Sequence, residues 1–289
     1  MMVKISSVKV QNAAATVPPS SDTYVVKLST NPTNIEANKP FSLIVTVLNA
    51  DGKTSVTAFD EVHTKLLHFI LVSQDLTQFL HVHPDYQGNG VFILKDLILP
   101  VAANYVTYAD FTPTGDQQHY VRNTITVTGA TEKLPHLVAS PSDVTVGSLK
   151  ISLDGLDILK SGVETSLKFH VSDVAIGAGI DNLDEYLGAA GHLVIIDEAN
   201  HIYIHTHPAG HDMKGMSGMA DIATATPEMA GIVMPMHYGP DLEFMTDFPD
   251  VGLWAMWLQV QYKGDVYTFP FVVDVADNIE GTPEAHAHG

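Results

Sequence analysis

Two stretches of the chain carry the same pattern of histidines, and this repeat constrains the architecture more than any other feature of the sequence. The stretches are HFILVSQDLTQFLHVHP and HLVIIDEANHIYIHTHP, whose histidines are His68, His81 and His83 in the first and His192, His205 and His207 in the second. An Asp-Glu pair precedes each stretch, at Asp60 and at Asp184, so the whole pattern recurs at a shift of 124 residues. A match of this length indicates an internal duplication, and it predicts two modules of one fold.

Short apolar segments separated by turn residues predict that each module is built from β-strands. The first half of the chain contains a series of such segments, from Tyr24–Leu28 to Tyr120–Val127, rich in β-branched and aromatic residues, and the second half repeats their order. About seven short strands in a module of roughly 100 to 140 residues are typical of an antiparallel sandwich. We therefore predict an all-β chain of two tandem antiparallel β-sandwich domains with Ig-like or cupredoxin-like organisation.

The strand segments and the loop-like stretches between them predict the domain boundaries. The predicted order is a flexible N-terminal arm (1–21), module 1 (22–129), a linker (130–142), module 2 (143–277) and a histidine-containing tail (278–289). Module 2 carries a Met- and His-rich insertion at 209–241 that module 1 lacks. The two modules are therefore not expected to be functionally equal.

The overall charge and the absence of cysteine exclude several classes of function. The formal net charge is −19, which disfavours binding to nucleic acid or to anionic membrane surfaces. The chain has no cysteine, so it can form neither disulfides nor thiolate zinc sites, iron–sulfur clusters or a type 1 copper centre. No stretch has the length and apolar character of a transmembrane helix, so we expect no insertion into a membrane.

The histidines of each repeat are predicted to lie together on one face of a β-hairpin. Residues two apart on a strand point to the same side, which places His81 beside His83. A tight turn at the midpoint of each hairpin pairs residues whose numbers sum to 151 in module 1 and to 399 in module 2. His68 then faces His83 in module 1, and His192 faces His207 in module 2. We name the two groups triad 1 (His68, His81, His83) and triad 2 (His192, His205, His207).

Three neutral imidazoles with one open coordination position form a known ligand set for Cu(II) or Zn(II). The open position of triad 1 could take His63, Asp110 or His119, and that of triad 2 could take His237 or a residue of the insertion. The alternative is that the histidines belong to the scaffold and are satisfied by hydrogen bonds. Because the set of three is duplicated in register, we favour metal binding.

The insertion of module 2 contains soft ligands that favour copper over other metals. His211, Met213, Met216 and Met219 lie among Lys, Gly and Ser rather than in an apolar pattern. A thioether prefers Cu(I), whereas imidazole also suits Cu(II), so copper is the predicted metal and zinc is the alternative. The competing interpretation is a loop whose methionines pack on the sheet.

Two longer parts of the sequence carry a family resemblance. The segments VHTKLLHFILVSQDLTQFLHVHP with YVTYADFTP, and YLGAAGHLVIIDEANHIYIHTHP with FPDVGLWAMWLQVQYKGDVYTFPFVV, resemble bacterial secreted or periplasmic cupredoxin-like (Ig-fold) proteins associated with copper or heavy-metal handling. The Gly-His-Leu-Val-Ile, His-x-His-Pro and Phe-Pro-x-x-Gly elements carry the likeness. The resemblance implies that the triads are metal ligands and that the protein is periplasmic or extracellular, although no signal peptide is visible in this chain.

Together these features predict a non-catalytic copper-binding protein that sequesters or delivers copper outside the cytoplasm. Each module would hold one ion through its triad, the Met/His segment would act as a lid or transfer arm, and a metal-donor or acceptor protein would be the partner. If the two triads face each other across the module interface, one dinuclear site would replace the two separate ones. Two alternatives stay open: a mononuclear copper redox enzyme with superoxide dismutase-like activity, and a structural Ig-like tandem in which the histidines only pack. A hydrolytic zinc enzyme is disfavoured because the sequence has no His-Glu-x-x-His motif.

Overall fold

A computed structural model describes residues 22–130, 136–156, 159–208 and 238–278. Within these ranges the chain forms β-strands and no α-helix. The strands of module 1 are β1 (Tyr24–Asn31), β2 (Ile35–Glu36), β3 (Phe41–Asn49), β4 (Phe59–Asp60), β5 (Leu67–Ser73), β6 (Phe79–Val82), β7 (Asp85–Gly88), β8 (Val91–Leu97), β9 (Asn104–Pro113) and β10 (His119–Thr128). The strands of module 2 are β11 (Asp143–Val146), β12 (Leu149–Asp154), β13 (Glu164–Asp173), β14 (His192–Asp197), β15 (Tyr203–Thr206), β16 (Asp241–Asp247), β17 (Gly252–Tyr262) and β18 (Asp265–Val275).

Module 1 is a sandwich of two sheets. One sheet has the strand order β1-β3-β8-β7, and the other has the order β2-β10-β9-β5-β6, with the short β4 paired against β9. The neighbouring strands are antiparallel except for the two-residue β2, which pairs parallel with β10. Alternate residues of β3, among them Leu43 and Val45, are fully buried and pack with Phe69 and Phe92 from other strands. This period of two is what allows two sheets to share one apolar core.

Module 2 repeats the arrangement with its own two sheets. Their strand orders are β11-β12-β13-β16 and β15-β14-β17-β18, and all the pairs are antiparallel. The core between them is built on large rings, including Phe169, Phe244 and Trp254. The predicted fold class, an all-β chain of two tandem antiparallel sandwiches, is confirmed.

A third apolar core joins the two modules face to face. Strand β5 is buried over its whole length because its alternate residues pack on opposite sides. Phe69 and Leu71 belong to the core of module 1, whereas Ile70 and Val72 face module 2. The residues of module 2 that meet them are Val194, Ile196, Tyr203, Ala255 and Trp257. The strands β5 and β9 of module 1 and β14, β15 and β17 of module 2 are therefore buried over nearly their whole length, and the tandem forms four packed β layers.

Aromatic rings and hydrogen bonds lock this interface. Phe79 stacks on Trp257 with ring centroids 4.6 Å apart, and Tyr108 stacks on Tyr203 at 4.9 Å. The Tyr108 hydroxyl donates to the carbonyl oxygen of Asn200 at 3.0 Å, and Asn200 Nδ2 donates to the carbonyl oxygen of Gln74 at 2.9 Å. Buried aromatic contacts of this kind hold packed surfaces in one orientation. The relative position of the two triads is consequently set by a packed core.

The register predicted for the two histidine hairpins is confirmed. In module 1, Ile70 pairs with His81 and Phe69 with Val82, so the residue numbers sum to 151. In module 2, Val194 pairs with His205, so the sum is 399. Several strands of low hydrophobicity or short length are absent from the sequence prediction, namely β2, β4, β7, β11 and β16. They lie at sheet edges or add only a two-residue pairing, where the alternation of apolar residues is weak.

The structure bears on the predicted absence of a membrane-spanning helix and on the predicted insertion, arm and tail. Among the described residues, no helix has the length and apolar character needed to cross a bilayer. Most of the Met- and His-rich insertion, residues 209–237, lies outside the described residues, as do the N-terminal arm and nearly all of the tail. The end of the insertion is part of the sandwich, because Tyr238 bridges to Leu183 and β16 begins at Asp241.

Candidate metal centre

In triad 1, three ring nitrogens converge on one point. His68 Nδ1 lies 3.0 Å from His81 Nε2 and 3.1 Å from His83 Nε2, and the third side of this triangle measures 3.2 Å. Nitrogens that bind one tetrahedral metal ion at about 2.0–2.1 Å lie roughly 3.3 Å from one another. The triangle therefore has nearly the size of one face of a coordination tetrahedron.

Hydrogen bonds at the outer nitrogens make the inner nitrogens of triad 1 lone-pair donors. His68 Nε2 lies 3.0 Å from the carbonyl oxygen of Val62, to which it donates its N–H. His81 Nδ1 donates to Gln259 Oε1 at 2.8 Å. Because a neutral imidazole has a single N–H, the inner nitrogens of His68 and His81 both present lone pairs to each other. Of the three inner nitrogens only that of His83 can still carry a proton, whereas one cation would satisfy all three.

Triad 2 reproduces this arrangement at the equivalent positions of the repeat. His192 Nδ1 lies 3.1 Å from His205 Nε2 and 2.9 Å from His207 Nε2. His192 Nε2 donates to the carbonyl oxygen of Tyr186 at 3.0 Å. His205 Nδ1 lies 3.3 Å from Asp110 Oδ2, an acceptor of its N–H. The inner nitrogens of His192 and His205 are thus again two facing lone pairs, as expected of ligands oriented for a metal ion.

A two-residue turn supports each triad from the same side. His63 and Thr64 in module 1, and Leu187 and Gly188 in module 2, all have positive φ values, between 48° and 77°. Two consecutive positive values are the signature of a type I′ hairpin turn. The residue that precedes each turn supplies the carbonyl oxygen that holds the first histidine of the triad. The Asp-Glu repeat in the sequence therefore marks a turn that orients a histidine.

The acceptors for the second histidine of each triad are exchanged between the modules. In the sheets, Asp110 pairs with His68 and Gln259 pairs with His192, so they occupy equivalent positions. Each side chain reaches across the interface: Gln259 of module 2 holds His81, and Asp110 of module 1 holds His205. Neither triad is therefore complete without the other module. Gln259 was not predicted as a partner of the triads, since glutamine is not a metal ligand of choice.

The two triads face each other across the interface rather than forming two remote sites. The ring of His205 lies 5.0 Å from that of His68 and 5.1 Å from that of His81, measured between centroids. The ring of His192 lies 5.8 Å from that of His81. Ligand nitrogens of His68, His81 and His205 all lie within 4.8 Å of one another. The six histidines thus form one cluster, in which His205 lies close to ligand nitrogens of both triads.

Burial keeps the cluster neutral. His68 and His192 are 2% and 0% exposed, and only the third histidine of each triad, His83 or His207, is half-buried. Burial, aided in most of them by the neighbouring imidazoles, lowers the pKa of all six side chains, to about 4 for His68 and His81. Metal ions bind the neutral form of imidazole. At neutral pH the cluster therefore presents its lone pairs without having to release protons.

The stability of the metal-free protein should depend on pH through these histidines. In the unfolded chain a histidine takes up a proton near pH 6.5, whereas His68 and His81 in the folded protein do so only near pH 4. Between these values the unfolded state binds more protons, so acidification favours unfolding. We expect the free energy of unfolding to fall by more than about 2 kcal/mol from pH 7 to pH 5, since one pKa unit corresponds to about 1.4 kcal/mol. Urea unfolding of chelator-treated protein measures this, and a constant stability would contradict it.

Of the other residues predicted as candidate ligands, two contact triad 2, one lies away from the cluster, and the rest lie outside the described residues. His63, expected near triad 1, lies against triad 2, where its ring stacks on His207 at 3.4 Å between centroids. His119 does not join the cluster, because it pairs with Phe111 and its ring contacts Tyr24 on the inner side of module 1. Asp110 hydrogen-bonds to a histidine of triad 2. The remaining candidates, His211, His237, Met213, Met216 and Met219, lie outside the described residues.

The comparisons with known proteins match both modules. The sequence profile of the family described as Domain of unknown function (DUF8832) matches residues 16–129 and 144–277. The chain belongs to this family. Each DUF8832 segment contains one sandwich and one histidine triad, so the duplication seen in the histidines is a duplication of the whole DUF8832 domain. A comparison with curated proteins gave no match.

Solved structures that match this chain include adhesins. One is a tetra-tandem repeat in the extending region of a large adhesion protein, with 9% identity and a TM-score of 0.28, covering 87% of this chain and 49% of that one. Another is FdeC, an adhesin of Escherichia coli, with 12% identity and a TM-score of 0.25, covering 87% of this chain and 64% of that one. This chain thus spans less than two thirds of the length of either. At these scores the likeness assigns no function to the DUF8832 domains.

Proposed function

We propose that the protein binds copper in a dinuclear centre formed by triads 1 and 2 at the interface of its two modules. The observation that carries this proposal is the pair of facing lone pairs in each triad, held in place by hydrogen bonds at the outer nitrogens. Without a cation these nitrogens repel each other in a buried site, where unpaired polar groups are costly. Two ions, one in each triad, turn this repulsion into coordination.

The ligand set supports copper more than other metals. All six inner ligands are imidazoles, which suit copper, zinc, nickel and iron, and Cu(II) forms the strongest complexes of the divalent first-row ions. The thioethers predicted in the insertion add a preference for Cu(I) over zinc. The resemblance to copper-handling proteins points the same way. Zinc is the alternative that the binding experiment must separate from copper.

The burial of the cluster suits retention of the metal. His83 and His207 are the half-buried members of their triads, so we infer that an ion enters and leaves each triad past its third histidine. We infer that the protein sequesters copper or hands it to an acceptor protein outside the cytoplasm, and that it does so without catalysis. The location outside the cytoplasm is inferred from the family resemblance. The Met/His insertion follows His207 directly in the chain, which is the position expected of a segment that passes the ion in or out.

Metal titration of the chelator-stripped protein tests the proposal. We expect about two equivalents of Cu(II) to bind with submicromolar affinity, more tightly than Zn(II), as measured by calorimetry with a competing chelator and by elemental analysis. His68→Ala should lose one equivalent, His192→Ala should lose the other, and the double variant should lose both. The exposed His136 and His201 supply the matched control, since His136→Ala/His201→Ala removes two imidazoles outside the triads. Affinities no better than micromolar for all three of Cu(II), Cu(I) and Zn(II) would end the proposal.

A structural role for the triads is the second candidate, and the packing of the interface favours it. The histidines adjoin a continuous apolar core between the modules, and each triad is tied to the other module by a hydrogen bond. In that case His68→Ala/His192→Ala would lower the unfolding free energy in the presence of chelator, and added copper would not stabilise the wild type. If copper stabilises the wild type but not the His68→Ala/His192→Ala variant, the triads bind metal. If copper stabilises neither protein, the triads are structural.

A further inference from the structure

The two halves of the cluster differ in the side chain that supports the second histidine. His205 of triad 2 lies against a carboxylate, Asp110, whereas His81 of triad 1 lies against a neutral amide, Gln259. Asp110 is 1% exposed, and it also accepts hydrogen bonds from Gln118 Nε2 at 2.7 Å and from the Tyr203 hydroxyl at 3.0 Å. Three donors thus converge on one buried carboxylate at triad 2. Nothing with a negative charge takes the equivalent position at triad 1, which is occupied by Gln259.

The turns beside the triads differ in the same sense. The turn residue His63 of module 1 reaches triad 2, where it stacks on His207 and lies 5.5 Å from the ring of His192, centroid to centroid. The equivalent residue of module 2 is Leu187, an aliphatic side chain. Triad 2 therefore has a fourth imidazole next to it and a carboxylate behind it, whereas the residue of module 2 that repeats His63 is aliphatic.

We propose that the two metal positions are unequal, that triad 2 takes the first ion, and that Asp110 is the positioning residue that decides this order. The inference rests on the proposed function. A carboxylate that accepts the outer N–H of a ligating histidine makes that ligand more basic and fixes its orientation. Gln259 fixes the orientation of His81 but adds no charge.

The first part of the test asks which triad binds first. Cu(II) is titrated into the full chain in competition with a chelator strong enough to outcompete micromolar sites, and the wild type should show a tight step followed by a weaker one. His83 and His207 are matched for this purpose, because they occupy equivalent positions and are both half-buried. His207→Ala should lose the tight step, whereas His83→Ala should retain it and lose the weaker one.

The second part exchanges the supporting groups. Asp110→Asn should weaken the tight step about 10- to 100-fold, the usual effect of removing an outer-shell partner, and should weaken the other step less, since Asp110 pairs with His68 in the sheet but accepts no hydrogen bond from a histidine of triad 1. The fold should tolerate it, since Asn has the same shape and the amide of Gln118 can turn to present its oxygen. Gln259→Glu should strengthen the step at triad 1, because Thr268, which now accepts from Gln259 at 3.0 Å, can donate its hydroxyl to the new carboxylate. The double exchange D110N/Q259E should reverse the order of filling.

Each outcome has a distinct meaning. If His83→Ala and His207→Ala affect the same binding step, the proposed order of filling is wrong. The same holds if Asp110→Asn weakens both steps equally or weakens neither. In these cases the proposed copper-binding function is not contradicted. If the wild type takes up no copper at submicromolar concentration, the proposed function fails and the order fails with it. Circular dichroism and the midpoint of thermal unfolding, measured for every variant with chelator present, establish that a lost step reflects a lost ligand rather than a lost fold.

Discussion

Saturating copper is expected to raise the midpoint of thermal unfolding by more than about 10 °C. A ligand that binds only the folded state at 1,000 times its dissociation constant stabilises that state by about 4 kcal/mol. For a domain of this size, each kcal/mol shifts the midpoint by roughly 2–4 °C, and two ions act together because the interface couples the modules. The unfolded chain has 15 histidines and also binds some copper, which lowers the shift from its upper value. Differential scanning calorimetry with copper or with chelator measures it.

The matched variant for this experiment removes one ligand from each triad at the half-buried edge of the cluster. His83→Ala/His207→Ala should unfold close to the wild type in chelator and should show no copper-dependent shift. His136→Ala/His201→Ala should keep the full shift, since both residues are exposed and lie outside the triads. A shift that persists without triad ligands would mean that copper stabilises the protein from elsewhere, and the dinuclear centre would have to be abandoned.

The second large effect is expected from the core between the modules. Trp257 is 4% exposed and stacks on Phe79 across the interface. Trp257→Ala leaves a cavity there and should cost about 3–5 kcal/mol of unfolding free energy, measured by urea unfolding with chelator present. It should also weaken copper binding at triad 1, because Gln259 lies two residues farther along β17 on the same face and holds His81. Loss of affinity without loss of any ligand is the signature of a site assembled between modules.

Trp254 supplies the comparison for that variant. It lies three residues earlier on β17, but its ring is fully buried in the core of module 2 and faces away from the interface. Trp254→Ala should cost a similar amount of stability and leave the copper affinity of the folded protein close to that of the wild type. Equal effects of the two variants on copper binding would show that general destabilisation, and not the interface, governs the site.

The local arrangement of the triads followed from the sequence because it depends on short-range geometry. A period of two places His81 beside His83, and a hairpin of fixed length sets which residue faces which. The confirmed register of β5 with β6 and of β14 with β15 shows how far these rules extend. The short edge strands were not predicted. β7 and β11 have few apolar residues, and each is ordered by its pairing with a neighbouring strand.

The nearly continuous apolar run His-Phe-Ile-Leu-Val-Ser in β5 indicates a strand that is buried on both faces. This run was not used to predict contact between the modules. An antiparallel strand with one face in water alternates apolar and polar residues, whereas a continuous apolar run is buried on both faces. In this chain the second face of β5, with Ile70 and Val72, covers module 2. The same holds for Val194 and Ile196 in β14. The apolar runs indicate that the second face of each sheet is covered, but they do not identify the surface that covers it.

By itself the sequence determined the duplication, the class of fold and the two histidine triads, because each depends on residue spacing along a strand or hairpin. Only the tertiary structure decided that the triads form one cluster, that Asp110 and Gln259 are exchanged between modules, and that His63 lies beside triad 2. These contacts join residues far apart in the chain, and their geometry is set by how two apolar sheet faces pack. Such packing is the sum of many side-chain contacts, and no single spacing in the sequence encodes it.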